Sequence, residues 1–196
     1  ERTIEKGLST VVRAARKMSN IIDELLLLAG VRQQEVELCP IDMDGVIEEV
    51  RARLIDLLDR HQVELIVPER WPVAWGHEPW VEEVWANYVS NAVKYGGDPP
   101  RVELGYGTAP LSSVDPSSET LCFWVRDNGE GLTEEAQAHL FVPFERLNRK
   151  RVTGHGLGLS IVRRVVEKLG GEVGVESEVG AGSLFYFTLP RRSLKG

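Results

Sequence analysis

The chain has 196 residues, enough for one substantial hydrophobic core or for one domain with an appendage. Its composition, 42% hydrophobic and 27% charged, is that of an ordinary globular protein, and 23 basic against 30 acidic side chains (23 − 30 = −7) argue against a general nucleic-acid binder. Cys39 and Cys122 stand far apart with no CxxC or Cys/His cluster, so they suggest neither a zinc site nor a disulfide framework.

No apolar run approaches the roughly 20 residues that span a bilayer, and the N-terminus carries no signal-peptide pattern. The expected setting is cytoplasmic, with no membrane contact by this chain, although the parent protein can be membrane-anchored. A sequence that starts at Glu1 without Met is expected to be a fragment of a longer chain.

In chain order, Ile4, Leu8, Val11, Ala15, Met18, Ile22, Leu25 and Ala29 alternate steps of four and three, a heptad seam. One helix of that length, roughly 40 Å at 1.5 Å per residue, cannot bury such a seam alone and needs partner helices. A plain coiled coil and a dimerisation bundle both satisfy it. The pattern loosens from Gly30 to Pro40, which places a domain boundary near residues 36 to 41.

Asp42 or Asp44 can cap a second helix with apolar positions Val46, Ile47, Val50, Leu54, Leu57 and Leu58. Val63, Leu65 and Val67 alternate as a strand, and Val73 to Trp75 reads as a short one. Trp80 to Gly97 is a helix with Pro79 in its first turn, ended by Gly96-Gly97-Asp98-Pro99-Pro100. Strands follow at Val102 to Tyr106 and Leu121 to Val125, joined by a Ser/Pro/Gly-rich hairpin loop over Thr108 to Ser118. A short helix at Glu134 to Leu140, an irregular basic segment, a helix from Leu159 to Leu169, and strands at Glu172 to Glu176 and Leu184 to Leu189 complete the order. The expected fold is an α/β, α+β two-layer sandwich: a mixed sheet of about five strands covered on one face by three helices, preceded by a long coiled-coil-like helix.

The Trp80 to Gly97 helix raises the question of function. Asn87, Asn91 and Lys94 fall on one face, opposite a band of Val81, Val84, Trp85, Tyr88, Val89, Ala92 and Val93. Asparagine is a poor residue for a helix interior, so the triplet is either a solvated stripe or the lining of a site. Asp127-Asn128-Gly129-Glu130-Gly131 directly follows a strand, giving a fixed acceptor and a backbone that can turn beneath a flat ligand; a simple turn is the alternative. Gly154-His155-Gly156-Leu157-Gly158-Leu159-Ser160 runs into a helix whose N–H groups and dipole attract an anion. No strand precedes it, so it is not a Rossmann fingerprint. Between the two boxes, LFVPFERLNRKR combines Phe141 and Phe144, which also suit a core, with Arg146, Arg149, Lys150 and Arg151, the composition of a mobile lid over phosphates.

The order Asn-x-x-x-Asn-Ala-x-Lys-Tyr, Asp-x-Gly-x-Gly, Phe-x-x-Phe-x-Arg and Gly-x-Gly-Leu-Gly-Leu resembles the catalytic, ATP-binding domain of sensor histidine kinases. The resemblance covers residues 41 to 190, with residues 1 to 38 similar to the second helix of the family's dimerisation and phosphotransfer hairpin and 191 to 196 left as a tail. It implies ATP and Mg²⁺ as cofactors, a homodimer through the N-terminal helix, and a response-regulator receiver domain as partner. It implies that Asn91 coordinates Mg²⁺, with Asn87 helping to hold the metal shell or phosphates. Lys94 would contact phosphate and Tyr95 would lie against the nucleotide. Asp127 would accept from the adenine amine above Gly129 and Gly131. Gly154, Gly156 and Gly158 would shape the lid around the phosphates, Phe141 and Leu157 would border the nucleotide, His155 would either touch phosphate or be a passive loop residue, and Arg146 would reach the γ-phosphate.

The chain departs from the family pattern in its histidines: His77 stands where the family usually shows aspartate and His155 where threonine is frequent. None of its four histidines, His61, His77, His139 and His155, lies on the heptad helix, so the phosphoacceptor is expected on a hairpin helix missing from this sequence. Two rival readings are a related ATPase, which would need a water-activating glutamate where Asn87 stands, and a non-catalytic dimerisation module. An amide is no general base at neutral pH, which disfavours the first.

Overall fold

The computed structural model describes residues 36–107, 120–142 and 157–192. The heptad segment, the Ser/Pro/Gly-rich loop and most of the basic segment, with Arg146, Gly154, His155 and Gly156, lie outside the described residues.

Three of the four described helices begin where the sequence supplies a start signal. Helix α1 is Met43–Arg60, capped by Asp42, whose Oδ1 accepts from Gly45 N at 3.2 Å. It buries Met43, Val46, Ile47, Val50 and Leu58. Helix α2 is Glu78–Tyr95, with Pro79 in its first turn and Gly96 as C-cap. Nine of its side chains are buried, from Trp80 to Val93, and these include the whole expected apolar band. Short α3, Glu134–His139, is capped by Thr133, whose hydroxyl accepts from Ala136 N at 3.2 Å. Helix α4 is Gly158–Lys168 and buries Ser160, Ile161, Val162, Val165 and Val166. Gly170 follows it with φ +82°, a conformation that favours glycine.

The strands are β1 (Cys39–Pro40), β2 (Glu64–Ile66), β3 (Trp75–Gly76), β4 (Arg101–Tyr106), β5 (Thr120–Asp127), β6 (Val173–Glu178) and β7 (Gly182–Pro190). The main sheet has the order β2-β4-β5-β7-β6, with β2 and β4 parallel and every other pair antiparallel. β1 and β3 form a separate antiparallel pair, Cys39 opposite Gly76. The sequence pattern does not show β1, because both its residues are exposed and two residues carry no alternation.

Helices α2 and α4 pack on the sheet and α1 packs along α2, the expected two-layer arrangement. An aromatic cluster fills the seam: Trp85 meets Phe187 edge-on at 5.2 Å, and Phe187 stacks on Phe123 at 5.4 Å. Tyr88, fully enclosed, donates its hydroxyl to the Tyr186 carbonyl at 3.1 Å, so its polar tip is satisfied inside the core. Arg53 bonds Glu83 at 2.6 Å and ties α1 to α2; being half exposed, the pair contributes well under about 1 kcal/mol.

Register decides where the chemistry sits. Leu121, Phe123 and Val125 alternate into the buried layer, and period two puts Asp127 next in that row. Asp127 is therefore the last residue of β5, opposite Val102 on one side and Ser183 on the other. The expected strand ended two residues earlier, at Val125. The ladder continues because both neighbouring strands supply partners there.

Candidate active site

On α2, Asn87 and Asn91 are half-buried while Lys94 is exposed, the face expected from their spacing. Asn91 Nδ2 donates to Asn87 Oδ1 at 3.0 Å, an i,i+4 bond along the helix. That bond fixes the Asn91 amide so that its Oδ1 is turned to other partners. The Asn87 amide in turn lies over the first residue of α4. A Cβ at Gly158 would come within 3.0 Å of Asn87 Cγ and Oδ1, and closer still to Nδ2. Residues 71 positions apart in the chain (158 − 87) thus meet at the mouth of the site.

The acidic box lies beneath the far end of α2. Asp127 is buried, 6% exposed, and its Oδ1 accepts from Gly129 N at 2.8 Å and Ser183 N at 3.3 Å. Oδ2 makes no hydrogen bond among the described residues. Burial pushes the carboxyl above the usual carboxylate range, and the two backbone donors hold it back in part. A carboxylate with one oxygen pinned and the other open in an apolar layer can accept from a flat, amine-bearing ligand.

Close backbone approach assembles this end of the site. A Cβ at Gly129 would strike the Tyr95 carbonyl, so the backbone of Tyr95 touches the box, while the residue as a whole is 48% exposed. Gly131 has φ +69°, and a Cβ there would meet the Glu178 carbonyl, 2.7 Å from its carbon. Leu157, expected around the nucleotide, has its side chain in the core at 2% exposure. Its carbonyl starts α4, accepting from Ile161 N at 2.9 Å and Ser160 Oγ at 2.7 Å. Phe141 is half-buried just beyond α3.

Sequence reasoning treated Asn128 only as part of a turn. Its Oδ1 accepts from Gly97 N at 3.0 Å and Arg101 N at 2.9 Å, and its Nδ2 donates to the Pro99 carbonyl at 3.1 Å. One side chain thereby clamps the loop that ends α2 to the acidic box. Ser183 and Ser177 were also missed. Ser183 N holds Asp127, the two hydroxyls lie 2.9 Å apart, and Ser177 Oγ accepts from Leu132 N at 2.8 Å while donating to the Gly182 carbonyl at 2.8 Å. Gln137 Nε2 joins the same corner by donating to the carbonyls of Leu132 and Ser177. The available signal was a serine at each end of the glycine-rich hairpin.

The amide pair on a helix, the buried acid at a strand end and the glycine contacts between them can now be compared with known proteins. A family described as histidine kinase-, DNA gyrase B-, and HSP90-like ATPase matches residues 76–193, more than half of the chain. The chain belongs to that family. Cyanobacterial phytochrome B of Nostoc sp. is 32% identical over 188 residues, which cover 94% of this chain and 24% of that protein. Sensor histidine kinase RppB of Synechocystis sp. is 29% identical over 196 residues, covering 95% and 41%. Full-length ShkA, solved in complex with AMPPNP, is 27% identical with a TM-score of 0.73 over 91% of this chain and 36% of its own. The chain therefore spans less than half the length of each. Fold, family and relatives together make it an ATP-binding catalytic domain of the sensor histidine kinase type. Among the described residues no helix is long and apolar enough to cross a membrane.

Proposed function

We propose that this chain binds Mg·ATP between α2, the acidic box and the start of α4, and that the protein containing it transfers the γ-phosphoryl group to a histidine outside this sequence and onward to a response-regulator aspartate. The observation that carries the reading is the bonded pair Asn87–Asn91 set against Gly158, with Asp127 Oδ2 open at the other end of the same face.

Each residue has a separate task. Asp127 Oδ2 accepts from the exocyclic amine of adenine, and Gly129 and Gly131, by resemblance, let the backbone pass beneath the ring; their missing side chains admit the carbonyls of Tyr95 and Glu178. The Asn91 oxygen fits Mg²⁺, because an amide oxygen is a hard, neutral ligand and its own nitrogen is already engaged. Mg²⁺ when bound would neutralise charge between adjacent phosphates. Lys94, exposed one turn further along α2, would contact phosphate. Arg146, Gly154, His155 and Gly156, by resemblance, close over the phosphates, and Tyr95 and Phe141 border the nucleotide. Catalysis rests on positioning and charge neutralisation. Transfer is favoured over hydrolysis because the group at position 87 is an amide whose oxygen already accepts from Asn91, and it cannot deprotonate water. The N-terminal segment, residues 1–38, would supply dimerisation.

Calorimetry with AMPPNP and with its guanine counterpart, each with and without Mg²⁺, tests the binding reading. Saturable, Mg²⁺-dependent, adenine-selective binding is expected; no binding by the folded chain overturns it. Incubation with γ-labelled ATP and a dimerisation hairpin supplied in trans should label a histidine in acid-labile form, and labelling confined to serine or threonine would contradict the assigned transfer.

A further inference from the structure

Gly158 is a glycine without a backbone reason. It is the first residue of α4 and is not among the residues with φ in the left-handed region, at a helical position where alanine is the better former. What distinguishes the position is its neighbour: the space a Cβ would take holds the Asn87 amide. Neither helix can move aside to make that space. On α2, the face opposite Asn87 is locked by Trp85, Tyr88 and Val89, all buried at 2% exposure or less. At α4, the preceding residue Leu157 and the helix residues Ile161 and Val162 are buried at 5% or less. In a close-packed interior an added methyl group is absorbed by the softest coordinate, here rotation of the Asn87 side chain.

We infer that Gly158 is a positioning residue for the Asn87–Asn91 pair: by leaving room for the Asn87 amide it keeps Asn87 Oδ1 on Asn91 Nδ2 and so presents Asn91 Oδ1 to the phosphate-bound metal. The inference rests on the ATP-site reading and deepens it. Asn87 acts through Asn91 and not as a ligand in its own right. An amide turned over would offer an NH₂ group, which donates hydrogen bonds and cannot ligate a cation, so the orientation held by this bond decides whether Asn91 can bind metal at all. The arrangement makes the first turn of α4 part of the metal site without contributing an atom to it.

The test is a double-mutant cycle of Gly158→Ala and Asn87→Ala, read by calorimetry of AMPPNP with and without Mg²⁺ and by thermal melting. Gly158→Ala should weaken Mg²⁺-dependent binding by about tenfold or more while metal-free binding changes by less than about twofold. In the Asn87→Ala background the added methyl meets no amide, so Gly158→Ala should cost less than about twofold further. Losses that multiply in the double variant, an equal loss without metal, or wild-type affinity in Gly158→Ala would each overturn the inference. If Gly158→Ala alone does not fold, recovery of folding in the double variant supports the seat and failure to recover refutes it. Absence of nucleotide binding by the wild-type chain defeats the ATP-site reading instead. The seat is then judged from the side-chain amide resonances of Asn87 and Asn91, which must shift in Gly158→Ala and refute it if they do not.

Discussion

Removing the Asn128 side chain tests how the two ends of the site are held together. Asn128→Ala deletes three hydrogen bonds, from Gly97 N at 3.0 Å, from Arg101 N at 2.9 Å and to the Pro99 carbonyl at 3.1 Å. At about 1 kcal/mol net for each bond the ceiling is about 3 kcal/mol. Residue 128 is exposed, so water can replace part of what is lost and about 1–2 kcal/mol is the better figure. For a domain of this size that lowers Tm by about 2–8 °C, at about 2–4 °C per kcal/mol. Asn128→Asp keeps both acceptor bonds, loses the donor and should fall between wild type and the alanine variant. Thermal melts followed by circular dichroism give the stability, and calorimetry with Mg·AMPPNP gives the affinity, which should fall as the end of α2 loosens from the acidic box. A Tm within about 1 °C of wild type with unchanged affinity would show that the clamp does not hold the site together.

Three further outcomes follow from the geometry. Asn91→Ala should weaken Mg²⁺-dependent nucleotide binding by about 10- to 100-fold and metal-free binding far less, and equal losses would contradict its role as a metal ligand. Asp127→Ala should abolish the preference for adenine over guanine nucleotides in competition binding; a variant that still prefers adenine sinks the assignment. Nucleotide affinity should also fall on acidification. With Oδ1 occupied by two N–H donors, a proton goes to Oδ2 and turns the adenine acceptor into a donor. Because burial raises the Asp127 carboxyl, that loss begins at higher pH than for an ordinary carboxylate, and it should be absent in Asp127→Asn. For stability the sign is reversed. A raised folded value means the fold favours the protonated form, so the Asp127 contribution is present below the ordinary carboxylate range and is lost as pH rises through the raised value.

Local patterns made the elements readable, and long-range approach hid most of the site. The apolar band of α2 and its amide stripe follow from a 3.6-residue period, and all of the expected band is buried. Asp127 read only as the acid that follows a strand, because the expected strand stopped at Val125; its place in the buried row and the Ser183 N–H that the ladder brings to it came from pairing with β4 and β7. Asn128 looked like an ordinary turn residue because its partners lie 27 to 31 positions away, and their amides face it only after β4 has paired with β5. Gly158 read as loop glycine for a similar reason, since the amide that needs its empty space sits on another helix. Strand β1 had no legible period at two exposed residues.

The charge distribution around the amide pair yields one more prediction, about metal alone. No group of three or more His, Cys, Asp or Glu side chains among the described residues could hold a metal ion. The Asn91 oxygen is neutral and single, whereas Mg²⁺ demands six oxygens in near-octahedral order and gives up its waters reluctantly. One neutral ligand cannot offset that dehydration, so the phosphate oxygens of the nucleotide must supply most of the coordination and all of the compensating charge. Metal and nucleotide should then bind as one species. Titrating Mg²⁺ into the nucleotide-free chain should give no saturable heat up to millimolar concentration, while the same titration with AMPPNP present should saturate. Saturable binding of Mg²⁺ in the absence of nucleotide would mean that the protein builds the metal site by itself, and would refute the view that α2 contributes a positioned amide to a metal carried in by its substrate.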